Sequence, residues 1–361
     1  MTEISLPHLP LRKERHEPKY LKEGETVGVI DIVTERAQQA PARIAFPEAT
    51  AEKMLLAIDQ SNEKGICIPV LVGVPDEIKA AANECGVDID GLELFDTTDE
   101  AQLDAVIERY VATNPLASVK SMKRKSTKDP FFAALMLTSL GDVDATFAGL
   151  DHTTGDVIMG GQLVVGMDDG ISSVSSMGIW EIPDENAEGG MRYMGFGDSA
   201  VCTNPTAEEL AGNAICAAET MRSLLGIEPR VALLSFSTTG SAEHDLVDKV
   251  REAVAIANEM RPDLHIDGEF QLDAAICPDV AEKKVKRESE VAGNANVVMF
   301  PDLNAGNIGV KLVQQFAHIN APGPFLLGLK KVVGDCSRGA PVEELVGNIA
   351  VCSVRAKNGG E

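Results

Sequence analysis

The stretch Gly334–Glu344 near the C-terminus reads GDCSRGAPVEE and combines residue types that could do chemistry. Ser337 offers a hydroxyl, Arg338 a guanidinium, and Glu344 a carboxylate. A planar guanidinium suits a phosphate or a developing oxyanion, and lysine replaces it imperfectly. A helix start needs only a cap and a turn. The stretch is therefore either an ordinary helix start or the working part of an enzyme.

A second polar stretch, SFSTTGSAEHD, carries the hydroxyls of Ser237, Thr238 and Ser241 between a predicted strand and a predicted helix. Free backbone N–H groups and the positive end of a helix dipole suit a phosphate at such a junction. Serine and threonine also cap helices for purely structural reasons. Both interpretations remain open from the sequence.

Two further stretches follow the same logic. In GLDHTTGDV, the residues His152, Thr153 and Thr154 come after the apolar run ATFAGL. A single histidine is more often a hydrogen-bonded structural residue than a catalyst, so both roles stay open for His152. In FPDLNAGNIGVKLV, a polar turn from Asp302 to Asn307 is predicted to precede a helix that carries Lys311.

Several familiar site types have no matching motif. The chain contains neither a Walker loop nor GxGxxG, which disfavours nucleotide hydrolysis and dinucleotide redox chemistry. It contains no GxSxG elbow, and no set of histidines and cysteines has the spacing of a zinc site. The seven cysteines form no CxxC pair and are expected to be reduced thiols of a cytoplasmic protein.

The formal net charge of −24 argues against nucleic acid as a partner, because phosphate backbones need a basic surface. Local arginines can still bind a small anion inside an acidic protein. No apolar run reaches the roughly 18 residues of a membrane-spanning helix, so no membrane partner is expected. The polar, proline-broken N-terminus is not typical of a signal peptide and is predicted to be an extension.

Apolar, β-rich runs alternate with helical patterns along most of the chain. The predicted strands include RIAFPEA, ICIPVLVGV, LELFD, ATFAGL, SSVSSMGIWEI and RVALLSFS. The helices are predicted from apolar residues at a spacing of about 3.6. This repeated order predicts an α/β fold with a largely parallel sheet covered by helices.

Two segments interrupt this order. The run ENAEGGMRYMGFG has the composition of an exposed loop or hairpin. The basic cluster KSMKRKSTK at 120–128 is either a solvated helix face or linker, or a contact for a phosphate or nucleotide.

Taken together, these motifs resemble the phosphate acetyltransferase (phosphotransacetylase) family from about Arg43 to Arg355. The resemblance also rests on LGDVDATFAG, HTTGDV, GDSAVCTNPTAEELA, IDGEFQLDAAICPDVA, VAGNANVVMFPDLNAGNIGVKLVQ and DCSRGAPVEELV. It implies reversible acetyl transfer between coenzyme A and inorganic phosphate. Coenzyme A is then a substrate, with no tightly bound cofactor and no metal. The implied partners are an acyl-CoA, phosphate and an acyl phosphate.

The resemblance also implies two α/β domains, the second inserted in the first, an active-site cleft between them, and a homodimer. We predict an N-terminal extension over 1–40. The first domain is predicted over 41–172 and 317–361, and the second over 173–316.

Residue by residue, the resemblance makes Ser337 and Arg338 the pair that stabilises the reacting carbonyl and phosphate. The base of the family falls on Glu344, where the family has aspartate. Helix-dipole stabilisation is the alternative role for Glu344. The predicted substrate-binding residues are His152, Thr153, Thr154, Ser237, Thr238, Ser241, Asn307 and Lys311.

The chain departs from the family pattern where two expected arginines are Met159 and Gln315, and where an expected tyrosine is Val310. An R-x-x-K-G segment is also not legible near 113–125. Three functions stay open: acetyl transfer to phosphate, transfer of a longer acyl group such as butyryl, and a non-catalytic homologue.

Overall fold

The computed structural model describes residues 27–185 and 187–358. Most of the predicted N-terminal extension lies outside the described residues. Within these residues, no helix combines the length and the apolar composition that crossing a membrane requires.

The described residues contain eleven strands. In chain order they are β1 (Ala42–Phe46), β2 (Cys67–Gly73), β3 (Glu93–Asp96), β4 (Ala145–Ala148), β5 (Ser175–Pro183), β6 (Met191–Gly197), β7 (Arg230–Leu234), β8 (His265–Phe270), β9 (Val297–Met299), β10 (Phe325–Leu327) and β11 (Val332–Asp335).

Thirteen α-helices lie in the same part of the chain. They are α1 (Val29–Gln39), α2 (Glu52–Glu63), α3 (Pro75–Cys85), α4 (Glu100–Thr113), α5 (Val119–Lys128), α6 (Pro130–Leu140), α7 (Thr154–Gly160), α8 (Ala207–Leu225), α9 (Asp245–Met260), α10 (Leu272–Ile276), α11 (Pro278–Lys284), α12 (Leu303–Ala317) and α13 (Val342–Asn358).

The first sheet has the strand order β11-β4-β1-β2-β3, and all four pairings are parallel. All four residues of β4 are buried, as expected for a central strand of a parallel sheet covered on both faces. Helix α13 packs against the neighbouring strands β1 and β11. The carboxyl ends of β1, β4 and β11 are adjacent, so the loops that follow these strands meet at one edge.

The second sheet has the order β10-β5-β6-β9-β7-β8. Strands β6, β9, β7 and β8 are parallel to one another, while β5 pairs antiparallel with both β6 and β10. The predicted α/β class with mostly parallel sheets is therefore confirmed.

Each sheet belongs to its own compact unit. The first unit, with the first sheet, comprises residues 30–170 and the segment from 328 onward. The second unit, with the second sheet, contains 171–327. The predicted domain bounds stay a prediction. The grouping places residues 317–327 with the second sheet, because β10 pairs with β5. It also places α1, which falls inside the predicted extension, with the first sheet.

The segment predicted as an exposed loop or hairpin contains β6, which forms a hairpin with β5. The exposed-loop alternative is wrong, because the last five residues of β6 are buried between β5 and β9. The glycines that suggested a loop allow close contacts instead. A Cβ on Gly195, for example, would lie 2.7 Å from the sulfur of Met177.

Candidate active site

The loop after β11 holds Ser337 and Arg338 on the surface of the first unit, where both are exposed. The backbone turns there, with the N–H of Ala340 donating to the carbonyl of Ser337 at 3.0 Å. Lys53, on α2, donates from Nζ to the carbonyl oxygens of Ala340 at 3.0 Å and Arg338 at 3.4 Å. Glu344 is exposed in the first turn of α13, as predicted.

The guanidinium of Arg338 makes no hydrogen bond or ion pair with any residue that the structure describes. Its charge nevertheless acts on the loop after β4. Burial and the charge of Glu48 raise the pKa of the Asp151 carboxyl, and the charges of His152 and Arg338 oppose that rise. Arg338 therefore lies near this loop with its hydrogen-bonding capacity unused, which suits an anionic ligand.

Glu48 follows β1, and its side chain accepts hydrogen bonds from the backbone of the loop after β4. Its carboxylate is 2% exposed and accepts the backbone N–H groups of Gly149, Leu150 and His152 at 3.0, 2.8 and 3.2 Å. Burial alone raises the pKa of Glu48. The hydrogen bonds from the His152 side chain and these N–H groups outweigh that effect and lower it. Glu48 thus supplies this loop with an anion from within the protein.

Both ring nitrogens of His152 are bonded inside the protein. Nδ1 lies 2.7 Å from Glu48 and Nε2 lies 2.9 Å from Asp129, the residue that caps α6. The side-chain hydrogen bonds to Asp129 and Glu48 raise the pKa of His152 to about 10. The ring also packs against Phe131, with 4.6 Å between centroids. This geometry favours the structural alternative for His152.

The two threonines after His152 make different contacts. Thr153 caps α7: its hydroxyl accepts the Asp156 N–H at 3.1 Å, and its own N–H donates to the Asp156 carboxylate at 3.0 Å. Thr154 instead donates from its hydroxyl to Oδ2 of Asp335 at 2.6 Å. This bond joins the loop after β4 to the end of β11, immediately before Cys336 and Ser337.

In the second unit, the predicted serine and threonine residues lie on a loop rather than at a helix start. Helix α9 begins at Asp245, with His244 as its cap, so the helix dipole does not reach Ser237. The Ser237 hydroxyl is buried, donates to Glu269 at 2.9 Å and accepts the Ala242 N–H at 3.1 Å.

The other hydroxyls of this loop are also engaged. Ser241 Oγ accepts the Thr238 N–H at 3.0 Å, and Thr238 Oγ1 accepts the Gln271 N–H at 2.9 Å. These bonds shape the loop.

Glu269, on β8, accepts hydrogen bonds from several groups of that loop. It is 2% exposed and accepts hydrogen bonds from Ser237, from the Gly240 N–H at 2.9 Å and from Arg251 at 3.0 and 3.1 Å. Burial raises the pKa of Glu269. The bonds from Arg251, Gly240 and Ser237 more than offset this and bring the pKa to about 2.

Asn307 lies on α12 rather than in a turn before it, whereas Lys311 lies on this helix as predicted. The predicted polar turn is wrong, because Asp302 caps α12 by accepting the Ala305 N–H at 3.0 Å, and the helix begins at Leu303. Asn307 donates to the Ser199 carbonyl at 3.2 Å. The Lys311 side chain is exposed and makes no hydrogen bond or ion pair within the described ranges.

A third internal carboxylate lies at the end of β6. Asp198 accepts the N–H groups of Ala200, Val201 and Cys202 at 2.9, 3.2 and 2.6 Å, and the Ser176 hydroxyl at 2.5 Å. Helix α12 approaches it so closely that a Cβ on Gly306 would lie 2.0 Å from the Asp198 carbonyl oxygen.

Glu48, Glu269 and Asp198 were all missed as site residues from the sequence. Each is an acidic residue within or just after a buried strand, and that position was the available signal. Each occupies backbone N–H groups that an anionic ligand would otherwise use.

The comparisons with known proteins identify a family. Residues 28–353 match the family described as "Phosphate acetyl/butaryl transferase". The chain belongs to this family. It is 41% identical over 333 residues to a phosphate acetyltransferase of Clostridium acetobutylicum, covering 92% of this chain and 99% of the relative. It is also 41% identical over 333 residues to a phosphate acetyltransferase of Thermoanaerobacterium thermosaccharolyticum, covering 92% of this chain and 100% of the relative.

A solved structure leads to the same family. The fold is similar to that of a phosphotransacetylase from Streptococcus pyogenes, with a TM-score of 0.82 and 32% identity. The match covers 91% of this chain and 98% of that structure.

The departures from the phosphate acetyl/butyryl transferase pattern lie at different depths. Met159 on α7 is 62% exposed and Gln315 on α12 is exposed, whereas Val310 is buried in the hydrophobic core of the second unit. Val310 therefore has a packing role.

The basic cluster at 120–128 forms α5. Lys123 pairs with Asp104 at 2.8 Å, and Lys125 lies over the ring of Phe132 at 4.4 Å from its centroid. Among the described residues, no group of three or more His, Cys, Asp or Glu residues could hold a metal ion.

Proposed function

We propose that this chain is a phosphate acetyltransferase, which interconverts acetyl-CoA plus phosphate with acetyl phosphate plus coenzyme A. The observation that carries the proposal is the free guanidinium of Arg338, which lies beside Ser337 and near the loop after β4. The family membership and the 41% identity to phosphate acetyltransferases support the same reaction.

In the proposed mechanism, the thiol of coenzyme A attacks the carbonyl of acetyl phosphate directly. A thiol with a pKa near 8.5 is mostly protonated at neutral pH, so Glu344 takes its proton. The Arg338 guanidinium and the Ser337 hydroxyl stabilise the oxyanion that develops on the carbonyl. No acyl-enzyme is required when thiol and acyl phosphate are held side by side.

Substrate binding is the proposed role of the remaining predicted residues. Thr153, Thr154, Asn307 and Lys311 are exposed, whereas Ser237 and Thr238 are buried. We assign to Ser237, Thr238 and Ser241 the shaping of a loop whose backbone contacts the substrate. His152 contributes in the same way, because its ring is fully bonded to Glu48 and Asp129.

We further propose a homodimer of a cytoplasmic enzyme, with coenzyme A as an exchangeable substrate and no tightly bound cofactor. Helix α12 supports the dimer. Ile308, Leu312 and Phe316 lie four residues apart along one face and are 59, 52 and 81% exposed. Such a contiguous apolar face is typical of an interaction surface. The seven free cysteines support a reducing compartment.

The test is release of thiol from acetyl-, propionyl- and butyryl-CoA in the presence of phosphate. We expect acetyl-CoA to give the highest kcat/KM and Arg338→Ala to remove the release. A preference for butyryl-CoA would instead identify a phosphate butyryltransferase, for which the exposed, apolar Met159 is the specific observation. If all three thioesters are inert, the chain is a non-catalytic homologue.

A further inference from the structure

Asp335 is a half-buried residue whose carboxylate the proposed mechanism does not use. It ends β11, directly before the loop that carries Ser337 and Arg338. Its Oδ2 accepts the Thr154 hydroxyl at 2.6 Å. Its Oδ1 is buried and has no hydrogen-bond partner among the described residues. A carboxylate with one unsatisfied buried oxygen is costly in its charged form.

The charged surroundings of Asp335 also favour its neutral form. Burial raises the pKa of its carboxyl, and the charge of Glu48 adds to the rise. The hydrogen bonds from Thr154 and the Cys336 N–H oppose this effect without cancelling it. Two buried thiols also lie near it, Cys336 in the following loop and Cys352 on α13.

Thr154 connects the Asp335 carboxyl group to the surface. Its side chain is exposed, and its hydroxyl can donate and accept at the same time. When Asp335 is ionised, Thr154 donates to it. When Asp335 is protonated, Oδ2 can donate to Thr154, and the threonine proton is then free for an external acceptor.

We propose that Thr154 and Asp335 form an acid–base pair at the phosphate end of the reaction, opposite Glu344 at the thiol end. This inference rests on the proposed function. Thr154 is the catalytic residue that contacts the phosphate oxygen, and Asp335 is a positioning residue that acts through it.

The protons balance in the direction of acyl transfer to the thiol. A sulfur–carbon bond forms, the bond between the carbonyl carbon and the phosphate oxygen breaks, and the thiol proton passes to Glu344. The leaving oxygen takes the Thr154 hydroxyl proton, and Thr154 takes the proton of Asp335. Hydrogen phosphate departs. Glu344 then loses its proton to solvent, and Asp335 regains one through the exposed Thr154. The reverse reaction uses the same steps backwards.

The experiment compares four single variants and the double variant Asp335→Asn/Thr154→Val with the wild type. It measures steady-state kinetics over pH, with acetyl phosphate and coenzyme A as substrates. Asp335→Asn keeps the shape but cannot pass on a proton. Thr154→Val removes the hydroxyl at an exposed site, and Thr154→Ser restores it. Asp144→Asn is the matched control, because Asp144 lies before β4 and bonds the Arg43 N–H at the other end of the strands.

We expect Asp335→Asn and Thr154→Val each to lower kcat about 10²–10³-fold, within the usual range for lost acid–base catalysis. Thr154→Ser should recover most of the kcat that Thr154→Val loses, and Asp144→Asn should stay within about threefold of the wild type. The double variant should be no slower than either single variant, because the two residues act as one unit. The pH profile of kcat should lose one ionisation in both impaired variants.

A kcat within about tenfold of the wild type in folded Thr154→Val overturns the pair. So does an unchanged pH profile in the impaired variants, which would mean that Asp335 serves stability alone. Thermal melts identify any variant that fails to fold. If Asp335→Asn does not fold, the kinetics of Thr154→Val alone test the pair, because that substitution is at the surface. A wild type that is inert with every acyl group overturns the proposed function, whereas active variants overturn only the pair.

Discussion

Arg338 has an unusual position for an arginine in an acidic protein. The chain has 56 acidic and 32 basic residues, and neighbouring carboxylates commonly take up guanidinium groups. Arg222, for example, pairs with Glu228 at 2.7 Å. Arg338 has no such partner within the described ranges. An exposed guanidinium without an internal partner keeps its full hydrogen-bonding capacity for a ligand.

We therefore predict that Arg338→Ala lowers kcat/KM by about 10²–10³-fold, the usual loss when one electrostatic donor is removed. Arg338→Lys should recover only a small part, because lysine cannot form the bidentate contact. The measurement is steady-state kinetics at saturating phosphate, with folding checked by a thermal melt. Arg222→Ala is the control and should keep full activity. A loss below about tenfold in folded Arg338→Ala would show that the loop is structural.

Glu344 gives the second prediction at this scale. If it accepts the thiol proton, Glu344→Gln lowers kcat at least about 10²-fold while the fold remains intact. If its role is only to stabilise the start of α13, the variant loses about 0.3–1 kcal/mol of stability and keeps its turnover. Kinetics and urea unfolding of the same preparation separate these outcomes. Glu343→Gln, one residue earlier in the same helical turn, is the control.

His152 leads to a prediction about pH. Its pKa is about 10 in the folded protein, compared with about 6.5 in an unfolded chain. Because the folded state binds the proton more tightly, this contribution to stability is fully present below about pH 6.5 and is lost as the pH rises through about 10.

The free energy of unfolding should therefore differ between the wild type and His152→Gln most at about pH 6, and least at about pH 10. Urea unfolding at several pH values measures this difference. His265→Gln, at an exposed position at the start of β8, is the control. A constant difference for His152→Gln would mean that the two carboxylates do not hold a charged ring.

The positions of several candidate residues could be predicted from the sequence, and the contacts of others could not. Ser337, Arg338, Thr153 and Thr154 follow strands and are exposed, so their types were informative. Glu48 and Glu269 were missed because many of their partners are backbone N–H groups, which carry no sequence signal. Their side-chain partners lie at least 18 residues away in the chain. Ser237 was predicted as a ligand contact, but its hydroxyl is bonded to Glu269, more than thirty residues away in the chain.

At the scale of elements, the close approach of β4 and β11 sets the position of both loops. Gly149 directly follows β4 with φ 127°. A Cβ there would lie 2.5 Å from the Cys336 carbonyl oxygen and 2.6 Å from its nitrogen. Both atoms belong to backbone and cannot move aside as a flexible side chain would.

Gly149→Ala is therefore expected to lower the free energy of unfolding by more than about 1 kcal/mol and to reduce activity by displacing Ser337. Gly155→Ala is the matched control, because its nearest outside atom is the Thr153 hydroxyl oxygen at 3.7 Å. Because Gly155 lies in a helix, Gly155→Ala should raise the free energy of unfolding, by up to about 1 kcal/mol. Equal effects of the two substitutions in thermal or urea unfolding would contradict this account.

Element types were predicted better than element bounds. The buried apolar runs became strands because their lengths and β-branched residues allow little else. The start of α12 was placed too late, since Asn304 and Gly306 suggested a turn. The close approach of Gly306 to Asp198, which explains that glycine, involves residues more than a hundred positions apart.

At the scale of the whole molecule, the apolar face of α12 gives a prediction about assembly. Phe316→Ser removes the most exposed side chain of that face and should weaken the proposed dimer. Sedimentation at several protein concentrations would show a dissociation shifted to higher concentration. Leu116→Ser is the control, because Leu116 is 99% exposed but lies in the other unit. A dimer unchanged by Phe316→Ser would show that α12 does not form the interface.

The internal carboxylates of Glu48, Glu269 and Asp198 have a consequence for how the protein behaves without substrate. In each case a carboxylate of the protein already accepts hydrogen bonds from the loop backbone, so the loop is ordered before a ligand binds. The conformational entropy of these loops is then lost during folding rather than during binding. The amide protons of Gly149, Leu150 and Gly240 should exchange slowly with solvent deuterium in the free protein. Their exchange rates should change little when phosphate is added.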